Sequence, residues 1–182
     1  KSTGSCEIET RDEYVISNTP ICTITGSSSD EFARSVSVSN NLLAVGSPNY
    51  GLGSGSVSVF RYKGNNEYSL ESVLTSGDDT QTRFGHSVSI DKFNEDRLVV
   101  GSDQSNSTGS KVYVFTSGSN GWTRSQTLSN HTGSQWLKLD GEEFELYAVD
   151  QAVDRFGYSV SMYNSVLVVG APNDLTYYEY SG

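Results

Sequence analysis

Hydrophobic and polar positions alternate along three short segments of this 182-residue chain: Ser35-Val36-Ser37-Val38, Ser87-Val88-Ser89-Ile90 and Ser159-Val160-Ser161-Met162. Successive side chains of a strand point to opposite faces, so each segment puts hydroxyls on one side and apolar groups on the other. A short polar turn follows each: Asn40-Asn41, the longer Asp91–Asp96, and Tyr163–Ser165. Then comes a nearly all-apolar run, Leu42–Val45, Arg97–Val100 or Val166–Val169, as expected of a strand covered on both faces. The first copy continues past a loop with Gly51, Gly53 and Gly55 into strands at Ser56–Phe60 and Tyr68–Leu74. The second continues into Lys111–Phe115 and Trp122–Leu128, and the third into a tyrosine-rich strand, Leu175–Tyr180, with no fourth. No window carries a 3.6-residue apolar stripe, and the fold class is all-β.

The copies share more than alternation. Phe32, Phe84 and Phe156 precede the strand pairs at intervals of 52 and 72 residues, which marks a repeat with one long insertion. The third copy reads Phe156-Gly157 and Gly170-Ala171-Pro172; the first has Phe32-Ala33 and Gly46-Ser47-Pro48, and the second Phe84-Gly85 and Gly101-Ser102-Asp103. These motifs resemble the FG-GAP repeat, the unit of the integrin alpha-chain β-propeller and of many extracellular repeat proteins. The resemblance implies four-stranded antiparallel blades at residues 30–79 and 80–129, and a third at 151–182 that lacks its outer strand. Residues 130–150 form an inserted hairpin turning at Asp140-Gly141.

Residues 1–29 supply what the third copy lacks. Glu13-Tyr14, Ile21-Cys22-Thr23-Ile24 and Gly26 resemble Glu67-Tyr68, Val73-Leu74-Thr75 and Gly77, so this segment reads as an outer strand without its own blade. Closed propellers take about four to eight blades, and three are legible. Either the chain is a fragment of a closed propeller that binds a protein or glycan, or the orphan strand completes the last blade of another copy. Head-to-tail donation of this kind builds a filament and covers an otherwise exposed edge. Tyr14, Ile21, Ile24, Tyr177, Tyr178 and Tyr180 are the candidate interface residues.

Net charge is −10, with only 12 lysines and arginines that do not cluster, which argues against nucleic acid and anionic lipid as partners. No apolar run is long enough to span a membrane. The start at Lys1, without an initiator methionine or signal-like segment, reads as a processed or partial chain. Cys6 and Cys22 are expected to form a disulfide worth roughly 3 kcal/mol; the alternative is two buried thiols. Asn106-Ser107-Thr108 and Asn130-His131-Thr132 are N-glycosylation sequons, and with the bridge they point to an extracellular, glycosylated protein.

Chemistry is sparse. The family's calcium loops find a counterpart only at Asp91, Asn94 and Asp96, where the spacing is wrong and glycine is absent, so a solvated acidic turn is the favoured reading. His86 and His131 have no sequence partners for a metal or triad. His86 aligns with Arg34 and Tyr158 and is expected at the surface of its blade. Acidic pairs such as Asp78-Asp79 and Glu142-Glu143 are read as loop residues rather than a glycosidase dyad. Trp122 is assigned to packing between blades, and Trp136 flanks the insertion. No cofactor and no catalytic residue is expected. The protein is read as a self-assembling structural filament or, alternatively, an adhesion propeller.

Overall fold

A computed structural model describes residues 5–6, 22–78, 82–92, 96–103, 110–129, 133–139, 142–148, 155–164 and 166–172. Two N-terminal strands, β1 (Ser5–Cys6) and β2 (Cys22–Thr23), pair antiparallel and set Cys6 opposite Cys22, the register that the expected bridge requires. Ile24 follows β2 half-buried and outside any strand.

The first alternating segment opens a four-stranded antiparallel sheet ordered β3 (Ser35–Ser39), β4 (Leu42–Ser47), β5 (Ser56–Tyr62), β6 (Tyr68–Leu74). Asn40 closes the β3–β4 turn at φ 51°, a left-handed conformation that asparagine tolerates better than most residues. Between β4 and β5, Gly51 and Leu52 sit at φ 60° and 61°, so Tyr50–Gly53 is a left-handed turn rather than a regular helix. Tyr50 and Leu52 are exposed on it.

The second sheet repeats the order with β7 (Ser87–Lys92), β8 (Asp96–Gly101), β9 (Lys111–Gly118) and β10 (Gly121–Ser129). The expected six-residue turn Asp91–Asp96 is shorter than the sequence reading. The ladder runs on through Asp91 opposite Arg97 and Lys92 opposite Asp96, two opposite-charge pairs of the kind that favour continued cross-strand pairing. The inserted hairpin is present as β11 (Gly133–Leu139) and β12 (Glu142–Ala148). A third sheet pairs β13 (Ser159–Tyr163) with β14 (Val166–Gly170). The tyrosine-rich strand expected at 175–180 lies outside the described residues.

The described core lies between sheets. Leu42, Ala44, Val57, Val59 and Leu74 of the first meet Val88, Ile90, Leu98, Val100, Tyr113 and Phe115 of the second, with Phe84 among them. The other face of the second sheet, Val99, Val112, Val114 and Leu128, meets Phe156 and Met162, with Val160, Leu167, Val169 and Ala171 packed alongside. The architecture is therefore all-β, with antiparallel four-stranded sheets packed face to face as propeller blades are.

Candidate functional site

One joint, made twice, holds each sheet to the next. Strands β4 and β8 bring a glycine to the point where the following sheet's backbone crosses. A Cβ on Gly46 would lie 2.1 Å from the Gly85 carbonyl oxygen, and one on Gly101 2.0 Å from that of Gly157. Beside each glycine the first serine of the alternating strand donates to the same carbonyl: Ser35 Oγ to Gly85 at 2.8 Å, Ser87 Oγ to Gly157 at 2.8 Å. Two residues on, Ser37 Oγ accepts the Ile90 N–H at 3.0 Å, and Ser89 Oγ accepts the Met162 N–H at 2.9 Å. The serines of Ser-x-Ser thus face the following sheet, and the apolar residues between them face the preceding one.

The crossing backbone is bent to reach the joint. Gly85 and Gly157 take φ 92° and 86°, preceded two residues earlier by Arg83 at φ 50° and Arg155 at φ 57°. A left-handed arginine costs about 1–2 kcal/mol, and each is held by an acidic partner. Arg83 Nη2 donates to Glu31 Oε2 at 3.0 Å, while Arg155 donates through Nε and Nη2 to Asp103 Oδ1 and Oδ2 at 2.9 and 2.5 Å. The second pair is bidentate, the stronger geometry for arginine and carboxylate.

His86 is buried in this second joint, which corrects the surface position expected for it. Its Nδ1 lies 3.2 Å from the Tyr158 carbonyl oxygen and its Nε2 3.5 Å from Asp103 Oδ2. Its ring stands 4.8 Å from the Tyr158 ring, over which the Arg155 guanidinium lies at 4.3 Å. The third sheet covers the imidazole, a contact that alignment with Arg34 could not show. Burial pushes the His86 pKa below its usual value, against the pull of Asp103. Burial would raise the Asp103 carboxyl, but the hydrogen bonds from Arg155 and the charges of His86 and Arg155 hold it below the usual range.

These shifts fix a pH dependence. Between the usual histidine value of about 6.5 and the lower folded one, the unfolded chain binds more protons than the folded chain. Stability is therefore expected to fall as pH drops below about 6.5. A second decline begins near pH 4, as the depressed carboxyls Asp103, Asp78 and Glu71 take up protons. Melting temperatures from pH 8 to 3 check this: His86→Gln should remove the first decline and leave the second.

Further polar contacts tie the first two sheets. Asp78 accepts from Lys111 Nζ at 3.0 Å and from Tyr113 Oη at 2.8 Å, a contact between the first two sheets; Asp79 lies outside the described residues. Glu71 accepts from Arg61 and, at 2.8 Å, from Trp122 Nε1. Trp122 packs on the first core, the role assigned to it. Asp96, one of the three calcium candidates, accepts from Arg61 Nη2 at 3.2 Å; Asp91 faces Arg97 across the ladder, and Asn94 lies outside the described residues. So do Tyr14, Ile21, Asn106, Asn130, His131, Tyr177, Tyr178 and Tyr180. Among the described residues no cluster of three metal-ligating side chains occurs.

The joint is half made at two further places. Val36 and Val38 stand where Val88 and Ile90 enter the core, yet are 60% and 65% exposed. Val166 and Val168, on β14, are 57% and 62% exposed. These apolar faces are the candidate interaction surfaces. Sequence reasoning missed the joint residues Ser35, Ser37, Ser87, Ser89, Gly46 and Gly101. The available signal was Ser-x-Ser recurring in every copy beside an apolar run that ends in glycine.

Residues 24–60 and 141–182 match the family model described as the FG-GAP repeat. The second copy lies between the matched segments and makes the joint on both sides. No curated protein matches the chain.

Proposed function

The chain belongs to the FG-GAP repeat family, and from that premise we propose that it is a non-catalytic, extracellular domain of the β-propeller type whose work is adhesion or ligand binding. Blades that pack through hydrogen-bonded joints and present apolar faces at Val36, Val38, Val166 and Val168 support this reading. Such faces are made for contact with another protein surface. Among the described residues, no helix is long and apolar enough to cross a membrane.

In its finer form the proposal is structural. Copies join head to tail into a filament, a strand of the N-terminal segment completing the third blade of the next copy. N-linked glycans at Asn106 and Asn130 decorate the outside, and a Cys6–Cys22 bridge closes the segment that carries the strand. The second reading is a closed propeller that binds a protein or glycan, favoured by Tyr50 and Leu52 exposed together on a left-handed turn.

Negative-stain microscopy with mass photometry separates the two. Regular filaments that disappear when residues 1–26 are deleted are the expected result for strand donation. Compact particles of one mass would overturn the filament and turn the search to a ligand for the exposed loop.

A further inference from the structure

The uncovered faces of the first and third sheets are the two halves of one more joint, and we propose that a second copy of this chain makes it, its first blade stacking face to face on the third blade of its neighbour. The inference rests on the reading that copies join head to tail, and it adds a contact between blade faces to the donated strand.

Positional equivalence carries it. Aligned on Gly46, Gly101 and Gly170, Val166 and Val168 stand where Leu42 and Ala44 of the first sheet, and Arg97 and Val99 of the second, turn toward the following sheet. All four are buried, Leu42 and Ala44 in the core shared with the second sheet and Val99 in the core shared with the third. On the opposite face, Val36 and Val38 stand where Val88 and Ile90 turn back on the preceding sheet and are buried by it. Each exposed valine pair is therefore one side of a contact that the chain already makes twice internally, with Arg97 the one charged residue at these positions.

The polar half of the joint is laid out too. Ser159 and Ser161 occupy the positions of Ser35/Ser37 and Ser87/Ser89, are exposed, and make no counterpart of those bonds among the described residues. Gly170 leaves the same gap as Gly46 and Gly101: a Cβ there would meet its own Ser159 Oγ at 2.3 Å, with no following carbonyl beyond it. On the docking blade, Glu31 and Ala33 take φ 52° and 66°, repeating the left-handed conformations of Arg83–Gly85 and Arg155–Gly157. In the stacked pair, Ser159 Oγ donates to the Ala33 carbonyl and the Val38 N–H donates to Ser161 Oγ.

Alanine at 33 sets the strength of this contact. The corresponding Cβ on Gly85 would come 2.5 Å from the Ser56 carbonyl oxygen. The joint between copies is therefore looser than the internal ones, and Ala33→Gly should tighten it. The contact is heterologous, since one face differs from the other, and so it propagates. The valines and serines that form it are uncharged while each copy carries −10, so association should strengthen as salt screens that repulsion.

Two full-chain variants test the proposal by sedimentation velocity. Val38→Asp blocks one face and Val168→Asp the other, at sites exposed enough that both should keep the wild-type circular dichroism and melting temperature. Each alone is expected to be monomeric, weakened roughly a hundredfold by a carboxylate buried without a partner. Mixed one to one, they should form a dimer and nothing larger, because each supplies the face that the other lacks. Gly170→Ala, folded as wild type, should also lose association. Folded variants that associate as the wild type does, a mixture that stays monomeric, or a wild type that is monomeric at its highest soluble concentration would overturn it.

Discussion

Phe84→Ala is expected to cost about 3–5 kcal/mol and to lower the melting temperature by roughly 10 °C for a chain of this size. The ring is fully buried and meets Tyr113 and Phe115 edge-on, at centroid distances of 5.2 and 5.9 Å, a geometry worth more than burial alone. Its backbone N–H donates to the Ser54 carbonyl, in the connection between β4 and β5 of the first sheet, at 3.2 Å. One residue thus anchors its main chain to the first sheet and its side chain to the second, and the hole left by alanine opens between them. A close-packed interior fills such a hole only in part. Phe32 holds the same place in the first copy but is half-buried, so Phe32→Ala should cost about 1–2 kcal/mol, in line with the smaller area removed from water. Denaturant midpoints at unchanged slope measure both. Equal losses at the two positions would show that the first core does not depend on the ring of Phe84.

The strands were legible because alternation and apolar runs are local signals. Ser35–Ser39, Tyr68–Leu74 and the β11–β12 hairpin fall where the pattern puts them. What alternation cannot give is direction. It separates the serines from the valines without saying which meets the following sheet, and that choice fixes both the joint and the exposed faces. His86 shows the limit again: polar company at Arg34 and Tyr158 signals a surface, yet it is buried, in contact with Tyr158 and Asp103. The β7–β8 turn was read too long because its acidic residues suggested a loop, whereas Asp91 and Asp96 pair across the ladder with Arg97 and Lys92. Asp96 also accepts from Arg61 of the first sheet, and sequence alternation cannot show such a tertiary partner.

Gly101→Ala should separate the second and third sheets while leaving the first two joined. Its methyl would stand 2.0 Å from the Gly157 carbonyl oxygen and 2.2 Å from Ser87 Oγ. The serine can rotate away, but the carbonyl belongs to backbone bent at φ 86° and pinned through Arg155 to Asp103. The third sheet must therefore move as a unit. Overpacking of this kind costs about 1–3 kcal/mol, and loss of the buried Ser87–Gly157 hydrogen bond adds about 1–3 kcal/mol. Gly118→Ala is the control, since a Cβ there meets nothing within 4 Å and should be neutral to within a few tenths of a kcal/mol. Hydrogen exchange gives the resolving measurement: amides of β13 and β14 should lose protection in Gly101→Ala, and those of β4 and β5 should keep it. Uniform loss across all sheets would mean that the blades unfold as one unit and that the joint does not divide them. Local loss would make the joint the place where blades are added or parted, within a chain and, on the stacking proposed above, between chains.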